Sequence, residues 1–449
     1  MRDEPFEAIL ARTLEAMRAS GTAGEIYLED SRQSKVAVSD QTVESLSDRR
    51  DLGIGIRVFE AGGVGFAFTT DLDADAVRVT VRAAKEIARH TGPDDAWRLP
   101  EPVPVEPLPF PNEDPEAASV SAVDRIDIAM TIEQAARATD PRIRKTREAA
   151  LEDYAGRTWV ASTAGISASY AYSRAVGRLE VTATEGDRSQ VGYHIEFALG
   201  AASLDPVEIG RLGAIKALAK LGGEPAKTGR MPVVLDREIV MGLMDALSPA
   251  FSARRVLKGT SVLAGRLGER IASPAVGLVD DPKLPGGFGS APVDGEGLAT
   301  RRVPLIEKGR LAGYLHDTFS HLKMNAGEPG NSVRHSYDSP PGIGTMNLVL
   351  LPGTEPSEAL AERACDGVWV KEVMGLHTVD PITGDFSLGG SGRRIENGKA
   401  GAAVDRMALS GNLLELLAGI EAVGSDLKLF TGGGGAPSVL VGELSVAGS

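Results

Sequence analysis

Metal ligation or histidine catalysis needs imidazoles that converge, and this chain has six: His90, His194, His316, His321, His335 and His377. The closest-set pair lies in His316-Asp-Thr-Phe-Ser-His321. Five residues apart, the two rings would stand about 140° apart around a helix and on opposite faces of a strand. An i, i+4 pair shares one face of a regular helix, as in the His-Glu-x-x-His zinc motif, and the departure from that spacing argues against a metal site here. Two carboxylate groups, Asp280-Asp281 and Asp294-Gly-Glu-Gly297, have no base or nucleophile beside them in the sequence, and turn chemistry explains them. The single cysteine, Cys365, follows Leu360 and Ala364 and precedes Val368, a pattern that predicts a buried helical thiol. No His-Glu-x-x-His, Gly-x-x-x-x-Gly-Lys-[Ser/Thr] or Gly-x-Ser-x-Gly string occurs. Gly53-Ile-Gly55 and Gly62-Gly-Val-Gly65 lack the strand-to-helix step of a phosphate cradle and read as strand and turn glycines.

The elements that would position such groups alternate in type. Apolar residues at helical spacing predict a helix over Pro5–Ala19, in a chain that opens Met1-Arg2-Asp3-Glu4-Pro5. Strands are predicted at Gly24–Glu29, Ser34–Ser39, Gly53–Phe59 and Gly63–Phe68, the last two joined through Glu60-Ala-Gly-Gly63 as a hairpin. Helices follow at Asp73–His90 and Ala122–Ala138, separated by a proline-dense stretch from Leu99 to Pro115 that can hold neither helix nor central strand. Four further strand patterns between Trp159 and Leu199 predict an antiparallel sheet, and a helix over Pro206–Leu221 ends at Gly222-Gly-Glu-Pro225. Beyond Met231 the chain is richer in β signals and glycine, with helices at Glu238–Ser248, stopped by Pro249, and at Leu413–Val423. The expectation is an α+β chain of two domains: residues 1–225, helices with an antiparallel or mixed sheet, and residues 226–449, β-rich with a few helices.

A formal net charge of −14 disfavours nucleic acid and anionic membrane surfaces as partners. The basic groups Arg142–Arg147 and Arg254-Arg255 are short and read as solvated faces. One cysteine excludes an internal disulfide framework, no apolar run reaches about 18 residues, and no export signal is readable, so a cytoplasmic protein is expected. The residues alone thus describe a soluble two-domain α+β protein without an evident active site.

Ordered short matches extend this reading. Ser39-Asp-Gln-Thr-Val-Glu-Ser45, Gly53-Ile-Gly-Ile-Arg-Val58, Lys258-Gly-Thr-Ser261, Ala272-Ser-Pro274 and Asp294-Gly-Glu-Gly297 come first. Thr383-Gly-Asp-Phe-Ser387, Ile395-Glu-Asn-Gly398, Ser410-Gly-Asn-Leu413 and Val423-Gly-Ser-Asp426 follow. In that order and along essentially the whole chain, they resemble the TldD/TldE (PmbA) family of metallopeptidase subunits. TldD-type chains carry His-Glu-x-x-x-His on a helix upstream of the Lys-Gly-Thr-Ser match. Counting back without a gap puts it on Met244-Asp-Ala-Leu-Ser-Pro249, so the two histidine positions hold Met244 and Pro249 and the glutamate position holds Asp245. Their zinc-ligating cysteine also has no counterpart in Thr431-Gly-Gly-Gly-Gly-Ala-Pro437.

The resemblance implies the TldE/PmbA branch: a subunit with no catalytic residues and no metal of its own, paired with a zinc-bearing TldD-type chain that cleaves unfolded or extended peptides, in maturation or turnover. Gly384, Asp385, Phe386 and Ser387 are the candidates for contact with peptide, through close backbone approach, polar groups and an apolar ring. The bland reading of the same residues is a tight turn at Gly384-Asp385 with Phe386 in the core. The alternative function is an autonomous hydrolase with an absent or relocated metal site, for which His316 and His321 would be the ligands.

Overall fold

A computed structural model describes residues 5–448, so Met1–Glu4 of the opening segment lie outside the described residues. Among these residues the first half builds one antiparallel sheet in the order β3-β2-β1-β4-β5-β6. Its strands are β1 (Ala23–Ser39), β2 (Thr42–Glu60), β3 (Gly63–Thr69), β4 (Ile143–Ser162), β5 (Ser167–Glu185) and β6 (Arg188–Ala198). The four longest hold 17 to 20 residues, a reach of about 60 Å at ~3.3 Å per residue.

Alternation explains which side of this sheet does what. On β1, Ile26, Leu28, Val36 and Val38 are buried in apolar clusters beneath the helices α1 (Phe6–Ala19), α2 (Ala74–His90) and α3 (Ala122–Thr139). The intervening Glu25 and Tyr27 face the second half of the chain, where both meet Arg334. On β2, Ile54, Ile56 and Val58 join the helix-side core, whereas Gly53, Gly55 and Arg57 lie on the opposite face. A Cβ at Gly53 or Gly55 would overlap Tyr337, so these glycines let a second-half loop lie directly on the strand. Farther along the sheet, Ile132 of α3 and Ile209 of α4 (Pro206–Leu218) pack with Leu179 and Val181.

The second half opens with β7 (Gly229–Leu235) and α5 (Arg237–Leu247). β7 runs parallel to strand Gly367–Met374 and antiparallel to Val439–Gly448. Strand Lys399–Asn412 pairs with both Asp385–Glu396 and Val439–Gly448, which closes five strands into a ring. A second sheet of short strands includes Leu278–Asp280, Leu348–Leu350 and Gly434–Ala436. The architecture is α+β throughout.

Three local expectations need correction. Gly24–Glu29 and Ser34–Ser39 are parts of the single strand β1, because the polar stretch between them is satisfied across the ladder: Arg50 donates to Asp30 at 2.7 and 2.8 Å, and Arg32 to Asp48. The predicted helix over Leu413–Val423 stops at Ala418, and after Gly419 the chain continues as strand Ile420–Val423 against Val439–Val441. Cys365 is exposed, not buried: the helix ends at Ala364 and Cys365 takes a positive φ (59°) that turns the chain out of it.

Candidate functional site

The helix onto which the family resemblance maps the metal motif is well built. Apolar Ile239, Val240, Leu243, Met244 and Leu247 recur at three- and four-residue spacing and bury one face of α5 in the main core of the second half. Met244 is 1% exposed within that core. Pro249 lies in the single 3₁₀ turn Ser248–Phe251 and ends α5 as its ring requires. Asp245 reaches water, yet the surrounding protein desolvates it enough to push its carboxyl up to about 6, the behaviour of a group in a recess rather than on a convex face. A core thioether, a proline and one carboxylate do not fit a zinc ion, which takes nitrogen, thiolate and carboxylate donors. Among the described residues no group of three or more His, Cys, Asp or Glu side chains is placed to hold a metal.

The histidines of the alternative reading are near each other but differently employed. His316 is buried, its Nδ1 lies 3.4 Å from the Ser320 hydroxyl, and burial, with smaller contributions from His321 and Arg301, pushes its pKa down to about 4. A Cβ at Gly327 would collide with its ring, so the backbone covers that face. His321 sits on helix Thr318–Met324 with its Nδ1 2.9 Å from the carbonyl of Gly327. Ser320 is fully buried, so the Ser320–His316 contact offers a substrate no approach.

Asp294 and Glu296 do more than make a turn. Asp294 does organise one, its Oδ1 accepting the amides of Glu296 and Leu298 at 2.9 and 3.0 Å. Glu296, however, is the far end of a buried ionic chain. Arg57 donates to Glu25 at 2.7 Å and to Glu296 at 2.8 Å, Arg334 donates to Glu25, and Thr318 donates to Glu296 through its amide (2.9 Å) and hydroxyl (2.6 Å). Burial alone would raise the Glu296 carboxyl, but Arg57 and Thr318 hold it low. Burial and the adjacent Glu296 push Asp294 up. This cluster ties β1 and β2 to the second half, and its one hydroxyl, that of Thr318, is buried and donated to Glu296. Besides the Asp294-Gly-Glu-Gly297 match, its sequence signals are an arginine within the apolar run Gly53–Phe59 and a glutamate within Gly24–Leu28.

The peptide-contact candidates divide between surface and core. Gly384 has φ +80° and completes a turn in which the Asp380 carboxylate accepts the amides of Ile382 (2.7 Å) and Thr383 (3.0 Å). Asp385 is exposed and accepts a hydrogen bond from Asn412 at 2.9 Å, and Ser387 is exposed opposite Ser410. Phe386 is 5% exposed and packed in the core beside Gly411, so it presents no apolar surface to a peptide. Asp385–Leu388 pairs on one side with Leu409–Asn412. Its other edge has no ladder partner among the described residues, since pairing with Gly367–Met374 begins at Gly389. Two bonds are made on that side, both at Asp385: its carbonyl accepts from the Asp380 amide at 2.9 Å and its amide donates to the Thr383 hydroxyl at 3.3 Å.

A first half built as one long-stranded sheet under helices is joined by buried ion pairs to a ringed β half with a helix after its first strand. Three metallopeptidase family profiles tile it: PmbA/TldA metallopeptidase domain 1 over residues 24–88, the central domain over 115–221 and the C-terminal domain over 228–448. The chain belongs to the PmbA/TldD/TldE family. It is 28% identical to metalloprotease PmbA of Escherichia coli O157:H7, over 99% of this chain and 96% of that one. A crystal structure of a DNA gyrase modulator candidate from Thermotoga maritima superposes with a TM-score of 0.91 at 27% identity, covering 98% of this chain and all of that one. TldE of Thermococcus kodakarensis shares the fold, with a TM-score of 0.89 at 23% identity over 99% of this chain and all of that one.

Proposed function

We propose that this chain is the non-catalytic, TldE/PmbA-type subunit of a heterodimeric zinc metallopeptidase acting on unfolded or extended peptides. The observation that carries the reading is α5: the helix keeps its place after β7, but Met244 is committed to the core, Pro249 to a turn, and Asp245 is left as a lone carboxylate. Zinc would then belong to a TldD-type partner. This chain would contribute wall and shape to the peptide chamber, and the open edge at Phe386–Leu388 would take an extended peptide by strand addition. A single cysteine suits work in the reducing cytoplasm. Among the described residues no helix is long and apolar enough to cross a membrane.

Metal analysis tests the reading. In a purified pair of this chain with its cognate TldD-type chain, zinc is expected to follow the partner, and the isolated chain is expected to hold well under one zinc per molecule after dialysis. Stoichiometric zinc in the isolated chain, lost on His321→Ala, would instead establish a relocated metal site.

A further inference from the structure

A cavity of 490 Å³ lies at the seam between the two halves, with α4 and β6 on one side and the start of α5 and strands Gly367–Met374 and Asp385–Glu396 on the other. Its size falls within the ~300–1,000 Å³ of small-molecule sites, which favour such seams. Leu212, Ile215, Ile239, Val373 and Leu376 give it apolar walls.

The charges around it do not balance. Each of its four lysines has a carboxylate: Lys216–Glu238 at 2.7 Å, Lys371–Asp236 at 2.9 Å, Lys428–Glu196 at 2.5 Å, and Lys220–Glu372. The two lining arginines have none among the described residues. Arg237 makes only a 3.5 Å contact to the carbonyl of Asp426, and Arg393 donates Nε to the carbonyl of Gly401 at 2.9 Å. Two half-buried guanidinium groups are therefore in surplus, in a chain whose overall charge is strongly negative. Buried His194 also lines the cavity. Its Nε2 is 3.0 Å from Glu196, and its Nδ1 has no partner among the described residues. Asp236, at the N-cap of α5, gives its carboxylate to Lys371 and makes no cap bond to the helix.

Surplus guanidinium charge in a half-buried site is stabilised by an anion, and arginine's planar fork matches a carboxylate. The apolar walls would gain nothing from inorganic phosphate but would bury a hydrocarbon side chain. We infer that this cavity binds a small carboxylate bearing an aliphatic side chain, the chemistry shared by a free aliphatic amino acid and the C-terminal residue of a short peptide. Occupancy would bridge the two halves of the chain. The inference stands independently of the proposed partner, because it concerns the isolated full chain.

Calorimetric titration of that chain with leucine, Ala-Ala-Leu, Ala-Ala-Leu amide and inorganic phosphate tests it. Saturable one-site binding of leucine or of Ala-Ala-Leu is expected, and which of the two binds identifies the source. The amide is expected to bind at least about tenfold more weakly, and Arg237→Gln and Arg393→Gln each to weaken the carboxylate by a similar factor, the size expected for a lost charged hydrogen bond. Ile215→Trp, a substitution at a partly exposed wall position, fills the cavity without touching a charge and decides the matter should an arginine variant misfold. Equal binding of amide and acid, tighter binding of phosphate, wild-type affinity in the folded variants, or no saturable binding of either carboxylate would overturn the assignment.

Discussion

At the residue scale, the buried ionic chain matters more to the molecule than any exposed charge. Arg57 is 4% exposed and answers two carboxylates, Glu25 and Glu296, that are buried as deeply. Arg57→Met would leave both without their shared cation, and breaking a buried pair from one side costs about 3–5 kcal/mol. Denaturant unfolding should show a loss of that order, while a loss below 1 kcal/mol would mean the cluster relaxes or takes up water. Asp245 carries the opposite sign. Its folded pKa, about 6, is raised above the ordinary value of 3.8, so the fold prefers the neutral acid and ionisation opposes folding. The penalty is absent below about pH 4 and grows as pH rises through 6. Asp245→Asn is expected to raise the melting temperature at pH 8 and leave it unchanged at pH 4; because Asp245 is open to water, solvent screening keeps the effect small. An equal shift at both pH values would show that the effect is not ionisation.

At the element scale, periodicity revealed most of the elements but not their extents. The helix pattern of Phe6, Ile9, Leu10, Leu14 and Met17 corresponds to α1, and the i, i+3, i+4 spacing in 239–247 to α5 with its proline stop. Periodicity alone divides β1 into two strands, since Asp30 and Arg32 look like a turn until their partners on β2 are known, and those partners lie 16 and 20 residues away. Gly65 fits a turn or strand glycine by its sequence, but the reason for it is tertiary: a Cβ there would strike the backbone of α2 at Ala84. Phe386 illustrates the same limit. Its neighbours Asp385 and Ser387 are exposed and it is not, which alternation along a strand permits and a motif match does not resolve. On the proposed reading, in a reconstituted pair with a TldD-type chain, Asp385→Ala with Ser387→Ala is expected to raise the peptide KM by roughly 3- to 10-fold with kcat little changed, the scale of one lost hydrogen bond. Unchanged KM and kcat, with folding and assembly intact, would leave this segment as a turn and a strand start.

At the scale of the whole molecule, polar and ionic contacts join the two halves. Lys428 meets Glu196, Gln190 donates to Asp405 at 2.9 Å, and Arg334 meets Glu25. None of this was readable from sequence, because each contact spans roughly two hundred residues or more and no periodicity encodes it. What the sequence does carry at this scale is a continuous family framework, in which the proposed reading places Met244, Asp245 and Pro249 at the positions of the metal motif. On that reading catalytic zinc lies across a subunit interface, and permanent hetero-complexes of this kind commonly bury about 2,000 Å² or more. Peptide hydrolysis measured for the isolated chain, the isolated cognate TldD-type chain and the reconstituted pair is the most direct test. The account predicts no hydrolysis by this chain alone, full activity in the pair, and loss of that activity when the partner's motif histidines are replaced, whereas Met244→Ala here leaves chemistry in an assembled pair intact. Robust hydrolysis by this chain alone, or activity in a pair whose partner lacks those histidines, would contradict it.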